Sequence, residues 1–171
     1  MPNAAATWNL ETVPWDDPRA VLLRAEMDGE LGPRYADRLD DIPPEVAARF
    51  GQALSVDPDT IVATIIAVGA EGDPVGHAAL RDLGGDLSGS LEVKRVFVAP
   101  PVRGTGVSRL LMGELERIAA DRGAERLIVQ TGDRQPDAIA LYEKIGYTPI
   151  PVYPPYVEIT FSHCFEKPVP A

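Results

Sequence analysis

Residues 96–108 read Val96-Phe97-Val98-Ala99-Pro100-Pro101-Val102-Arg103-Gly104-Thr105-Gly106-Val107-Ser108. A β-branched, apolar run enters a loop with two glycines, and the helical spacing of Val107, Leu110, Leu111, Leu115, Ile118 and Ala119 starts directly behind it. A strand turning through glycines into a helix is a geometry that binds phosphate. The glycines let successive backbone N–H groups converge on one anion, and the first turn of the helix adds free amides and the positive end of its dipole. A plain strand-to-helix turn is the other reading of two glycines. Two familiar phosphate loops do not fit: a Walker loop needs Gly-Lys-Ser/Thr after four intervening residues, and a dinucleotide fingerprint needs a third glycine where Arg109 stands.

Upstream of this stretch, residues 60–68, 74–80 and 91–98 are apolar and rich in strand-forming residues. Glu71-Gly72-Asp73 and the glycine-rich residues 83–89 separate them, so the middle of the chain predicts a meander of three strands. Nearer the N-terminus, residues 8–13 alternate as a half-buried strand. Asp17 and Pro18 then open a helix that the spacing of Ala20, Leu23, Met27 and Leu31 carries to about residue 31. Turn residues follow, with a short helical piece at 44–54.

Downstream, Gly123 stops the helix that begins at Val107, residues 127–129 form a short buried strand, and Pro136 opens a helix with Ala138, Leu141 and Ile145 on one face. Residues 149–155 read as a proline-rich loop and 157–165 as a last alternating strand. The pattern is α+β around a central mixed sheet, with residues 1–7 as a loose tail.

At 171 residues the chain has the length of one domain with a real core, and 45% apolar with 25% charged residues is the balance of an ordered globular protein. Its apolar runs fall far short of the roughly 20 residues of a membrane span, and its start lacks the basic and apolar parts of a signal peptide. The expected location is therefore cytoplasmic, with no membrane partner. One cysteine, Cys164, excludes an internal disulfide framework, and with His77 and His163 as the histidines a thiolate/imidazole zinc site has too few ligands. A net charge of −10 gives no support to nucleic-acid binding and would attract a small cation, although an acidic surface also simply keeps a protein soluble.

The 96–108 stretch resembles the pyrophosphate-binding motif of the GNAT superfamily of N-acetyltransferases. The downstream run Ala138-Ile139-Ala140-Leu141-Tyr142-Glu143-Lys144-Ile145-Gly146-Tyr147 resembles that family's second signature. The resemblance extends over about 8–166 in the order of elements, which implies one N-acetyltransferase domain over 8–168. It implies a mostly antiparallel sheet, flanked by helices and splayed between two parallel strands, here 91–98 and 127–131. Acetyl-CoA is the implied co-substrate, with no metal. Its pyrophosphate would rest on the amides of Val102, Arg103, Gly104, Thr105, Gly106, Val107 and Ser108, and its pantetheine arm would pair with the backbone of Val96, Phe97 and Val98 like an added strand. Pro101 stands where the family usually has Gln or Arg, Ser108 where it often has Gly or Ala, and Gln135 where many members carry an Asn that contacts the cofactor arm.

The reaction so implied is direct attack of a primary amine on the thioester in a ternary complex, which needs a proton acceptor, oxyanion donors and an acid for the leaving thiolate. Tyr142 occupies the family's acid position; packing against the sheet is its structural reading. Glu92, on the splaying strand, is the candidate base, directly or through water, beside the reading of a solvated charge next to Lys94. The amide of Val96 or Phe97 is the expected oxyanion donor, and His77, His163 and Cys164 read as structural. An acceptor pocket is expected from the first helix and the loops at 34–41 and 149–156, where Tyr153, Tyr156, Asp40 and Asp41 could receive a cation. Transfer of a longer acyl group, a non-catalytic acyl-CoA-binding module and a nucleotide-binding protein of another fold stay open beside this reading. The acceptor is a small-molecule or peptide amine, and homodimerisation is left open.

Overall fold

Seven strands join edge to edge in a computed structural model that describes residues 7–171; of the tail expected at 1–7, all but Thr7 lies outside the described residues. The strands are β1 (Asn9–Thr12), β2 (Ile61–Val68), β3 (Pro74–Arg81), β4 (Ser90–Val98), β5 (Arg126–Gly132), β6 (Thr148–Ile150) and β7 (Ser162–Pro168), in the spatial order β1-β2-β3-β4-β5-β7-β6. Among the described strands β4 and β5 run parallel and every other neighbouring pair is antiparallel. This is the α+β architecture the sequence implies, with the β2–β4 meander in place.

Side chains alternate across the sheet, and two helical layers cover the two faces. On one face Ala63, Ile65 and Ala67 of β2 meet Val107, Leu111, Leu115 and Ala119 of α3 (Val107–Asp121) in a core that also takes in Tyr142 of α4 (Pro136–Lys144). On the other, Ile66 and Val68 of β2 pack with Ala20 and Leu23 of α1 (Pro18–Asp40) and with Phe97 of β4. Further along that face Phe50 of α2 (Pro44–Leu54) joins Ile128, Tyr153, Tyr156, Ile159 and Cys164. Each fully buried leucine or isoleucine in these cores contributes roughly 2 kcal/mol of burial.

Three expectations need correction. The first helix does not end near residue 31 but runs to Asp40 through Gly32 and Pro33. Proline forfeits one helical hydrogen bond, yet the last turns are held by contacts no local pattern reports. Arg34 donates to the Arg134 carbonyl (3.3 Å), Arg134 donates back to the Arg34 carbonyl (2.8 Å), and Arg38 pairs with Asp133 (2.6 Å). The start of the proline-rich segment belongs to the short edge strand β6, where Pro149 is tolerated because one side of an edge strand has no partner. The last strand covers Ser162–Pro168 rather than 157–165. Ile159 donates to the Tyr156 carbonyl (2.8 Å) and Ser162 to the Ile159 carbonyl (3.0 Å), so the alternation at 157–161 records successive turns.

Among the described residues no helix is long and apolar enough to cross a membrane, and no group of three or more His, Cys, Asp or Glu side chains is arranged to hold a metal ion.

Candidate active site

β4 and β5 are paired from Ser90 with Arg126 to Val93 with Val129, and there the ladder stops. Beyond it β4 keeps β3 on one side, through Phe97 with His77 and Val98 with Gly76, while its other side is released from β5. A bulge drives this divergence: Arg95 and Val96 oppose the single residue Ala78, and Arg95 sits at φ 56°, a left-handed conformation that bulky residues rarely adopt. His77 props the bulge from beneath, its Nδ1 2.7 Å from the Arg95 carbonyl. The guanidinium of Arg95 in turn pairs with Asp28 of α1.

The split opens into a cleft of about 640 Å³. One of its walls is the loop between β4 and α3. A single turn at Pro100–Val102 is followed by Gly104 (φ 80°) and by Gly106 (φ 94°), which caps α3 with a conformation that suits only glycine. A Cβ at either glycine would meet nothing within 4 Å, so the backbone there faces open space. Leu110 donates to the Gly106 carbonyl (3.1 Å), which leaves the amides of Val107 and Ser108 in the unpaired first turn. Close packing fixes where that turn stands: a Cβ on Gly76 would lie 2.8 Å from Val107 Cγ1 and 3.0 Å from Leu111 Cδ1, so α3 rests directly on β3.

Every residue the sequence singles out for the co-substrate lines the cleft except Thr105 and Gly106, and Tyr142 lines it too. Gln135 stands at the N-cap of α4 without capping it by its side chain. The Arg103 side chain is committed elsewhere. It donates to the Val98 carbonyl (2.9 Å) and grips both carboxylate oxygens of Glu30 (3.1 and 2.5 Å), clamping the loop to α1. That contact, with Arg34 adding to it, holds the Glu30 carboxyl below its usual range.

Tyr142 is buried, its ring packed on Tyr147 (centroids 5.7 Å apart) and Phe165 (6.1 Å). Burial pushes its phenol well above the ordinary range.

Glu92 is 1% exposed and does not line the cleft. Its neighbours Leu91 and Val93 belong to the core beneath α3, so alternation turns Glu92 to the α2 side. There it faces its cross-strand partner Arg81 (3.4 Å), with Lys94 two residues along at 3.5 Å. Tyr156 joins all three: its hydroxyl donates to Glu92 Oε1 (2.5 Å) and accepts from Arg81 and from Lys94 (both 2.8 Å). The reading of Glu92 as a solvated edge charge is therefore overturned, because the β6–β7 segment folds back over it. Burial pulls the Lys94 ammonium down to about 8, with Glu92 opposing the shift. Glu92 Oε2 is buried without a protein partner.

Tyr153 and Tyr156 are likewise core residues rather than loop aromatics open to a cation. Tyr35, Phe50 and Phe161 line the α1–α2 end of the cleft instead. Tyr35 falls in the 34–41 stretch expected to border the acceptor pocket, although sequence reading did not single it out, and Phe50 and Phe161 were missed because local pattern cannot distinguish a core aromatic from one that borders a cleft between elements. Sequence reading also missed Thr131, whose Oγ1 is buried without a partner on the β5 wall. A small β-branched residue near the end of a strand gives no local signal.

A sequence profile of the acetyltransferase (GNAT) family matches residues 13–147. The chain is 38% identical over 78 residues to an IAA acetyltransferase of Azospirillum brasilense, covering 46% of this chain and 51% of that one. It is 34% identical over 84 residues to a streptothricin acetyltransferase of Streptomyces lavendulae, covering 49% and 43%. The chain thus spans about half the length of these curated relatives. A Klebsiella pneumoniae structure described as a candidate acyl-CoA N-acyltransferase superposes with a TM-score of 0.73 at 25% identity, over 95% of this chain and 98% of that one. The fold is also that of Escherichia coli YhbS, solved in complex with CoA (TM-score 0.63, 17% identity, 99% and 86% covered).

Proposed function

The chain belongs to the acetyltransferase (GNAT) family, and on that premise we propose that it transfers an acetyl group from acetyl-CoA to a primary amine, with residues 8–168 as the catalytic unit. The observation that carries this reading is the release of β4 from β5 after Val93, facing a loop whose glycine backbone and helix-start amides are open. The residues present fit the co-substrate. Backbone of Val102 to Ser108 would hold the pyrophosphate, the released edge at Val96, Phe97 and Val98 would take the pantetheine arm as a strand takes a partner, and Thr131 and Gln135 would meet it from β5 and α4.

Acetyl-CoA supplies a thioester: the amine nitrogen bonds to its carbonyl carbon, the C–S bond breaks, the nitrogen loses a proton and the sulfur gains one. On this reading Tyr142, which lines the cleft, gives the sulfur its proton. The amide of Val96 or Phe97 orients the carbonyl oxygen and stabilises charge on it. Glu92 stands behind the cleft wall, so on this reading the amine's proton would reach it only along a chain of waters ending at Oε2, the oxygen with no protein partner, while Arg81, Lys94 and Tyr156 keep its other oxygen fixed. The acceptor enters from the α1–α2 side, a small-molecule or peptide amine.

The test is a thiol-release screen with acetyl-CoA against amino acids, polyamines, aminoglycosides, peptide N-termini and lysines, run beside thermal unfolding with CoA and acetyl-CoA. Release with at least one class, together with stabilisation by both nucleotides, is expected. Stabilisation with no release from any class would leave a binding module, and stabilisation by ATP or NAD but not CoA would overturn the reading.

A further inference from the structure

The α1–α2 end of the cleft has a chemistry of its own. Tyr35 and Phe161 stack at 5.5 Å with 22° between their planes, and Phe50 meets Phe161 edge-on at 6.2 Å. Leu39 and Leu54 border the same end and are 44% and 38% exposed, large apolar side chains left open at a cleft mouth. The seat is rigid on one side: the Tyr35 hydroxyl accepts from the Arg134 amide (2.9 Å) and stands 2.2 Å from where a Cβ on Gly132 would be. The α1 acids that line the cleft are already matched, Asp28 with Arg95 and Glu30 with Arg34 and Arg103, which leaves Asp137 at the start of α4 as the third lining acid. A polyamine or aminoglycoside brings several ammonium groups that need carboxylates, and burying them unmatched is costly. An apolar wall does the reverse for a single amine, favouring the neutral form that attacks.

Resting on the transferase reading above, we propose that the acceptor is a monoamine whose carbon arm is aromatic or compactly apolar, seated among Tyr35, Phe50 and Phe161 with Leu39 and Leu54 at its rim. The test pairs kinetics with binding on the full chain. Thiol release from acetyl-CoA is measured with 2-phenylethylamine, hexylamine and 1,5-diaminopentane, and calorimetry follows N-acetyl-2-phenylethylamine binding to the CoA-loaded protein. The expected kcat/KM for the two monoamines exceeds that for the diamine by about tenfold or more, and Phe161→Ala weakens the N-acetyl compound by a similar factor. Leu54→Asp, at an exposed position that keeps the fold, does the same.

A diamine used as well as the monoamines overturns the proposal. So does a preference for hexanoyl-CoA over acetyl-CoA that Phe161→Ala abolishes, which would give this end to the acyl chain. Binding of the N-acetyl compound that both variants weaken, without thiol release from any amine, would sink the transferase reading and keep the seat. Failure of that compound to bind would remove the seat itself.

Discussion

His77 lies with Nδ1 2.7 Å from the carbonyl of Arg95 and Nε2 3.1 Å from an Arg24 guanidinium nitrogen, and the two contacts define its state. A carbonyl only accepts and a guanidinium only donates, so the ring is neutral, with its proton on Nδ1. Burial, with the Arg24 and Arg95 charges adding to it and the carbonyl opposing, lowers its pKa from 6.5 to about 4. The unfolded chain therefore binds this proton first, so stability is complete above about pH 6.5 and falls as the pH drops toward 4.

That linkage is the first prediction. Over the window from 6.5 to 4 the imidazole alone should remove about 3 kcal/mol. Urea unfolding at intervals across it should show wild type losing stability more steeply than His77→Gln, which has no titrating ring. Parallel curves would mean that His77 takes up its proton in the folded state as readily as in the unfolded chain.

Gly104, at φ 80° with open space on its side-chain face, should not tolerate a β-branched residue. Gly104→Val should weaken CoA binding at least tenfold, about 1.4 kcal/mol, by blocking backbone approach to the pyrophosphate. Calorimetry with a variant whose circular dichroism matches wild type is the measurement. Unchanged affinity would move the phosphate site elsewhere.

Tyr142→Phe keeps the ring packed on Tyr147 and Phe165 and deletes only the hydroxyl. Turnover with an amine found by the screen should fall by roughly 10² while CoA affinity changes little, the pattern of an interaction made mainly in the transition state. Turnover within about twofold of wild type would sink the acid role, and a loss of stability in its place would assign the hydroxyl to structure.

Tyr156→Phe removes a hydroxyl that touches Glu92, Arg81 and Lys94 together. Three buried charged side chains lose a partner at once, so unfolding free energy at pH 7 should drop by about 3 kcal/mol. If chemical denaturation shows less than about 1 kcal/mol, the three charges reorganise around the gap, and the arrangement offered here for Glu92 would need revision.

Much of this architecture was legible along the chain, for reasons that differ from element to element. The apolar, β-branched runs of the β2–β4 meander and the four-residue spacing of Val107, Leu111 and Leu115 report burial directly, because each side chain's environment follows from its own place in a strand or helix. The β4 loop was legible for another reason: glycines at 104 and 106 meet a backbone requirement that few other residues satisfy. The helical turns beyond Pro33 were not legible, since what holds them is a set of contacts to residues about a hundred positions away. Nor was the bulge at Arg95, whose strain is carried by His77 on the neighbouring strand.

Glu92 shows where that boundary falls within the site. Its place on a strand can be read from residues 91–98 alone, because strand propensity is a local property, and the parting of that strand from a parallel neighbour is what the family resemblance implies. Its surroundings cannot. Arg81 arrives by β-pairing, Lys94 by the alternation of β4, and Tyr156 by a fold-back more than sixty residues downstream. Only the packed chain brings these four side chains within hydrogen-bonding distance and buries them together. Desolvation and long-range contact, which no window of sequence contains, decide whether that carboxylate is a surface charge or a buried, held group.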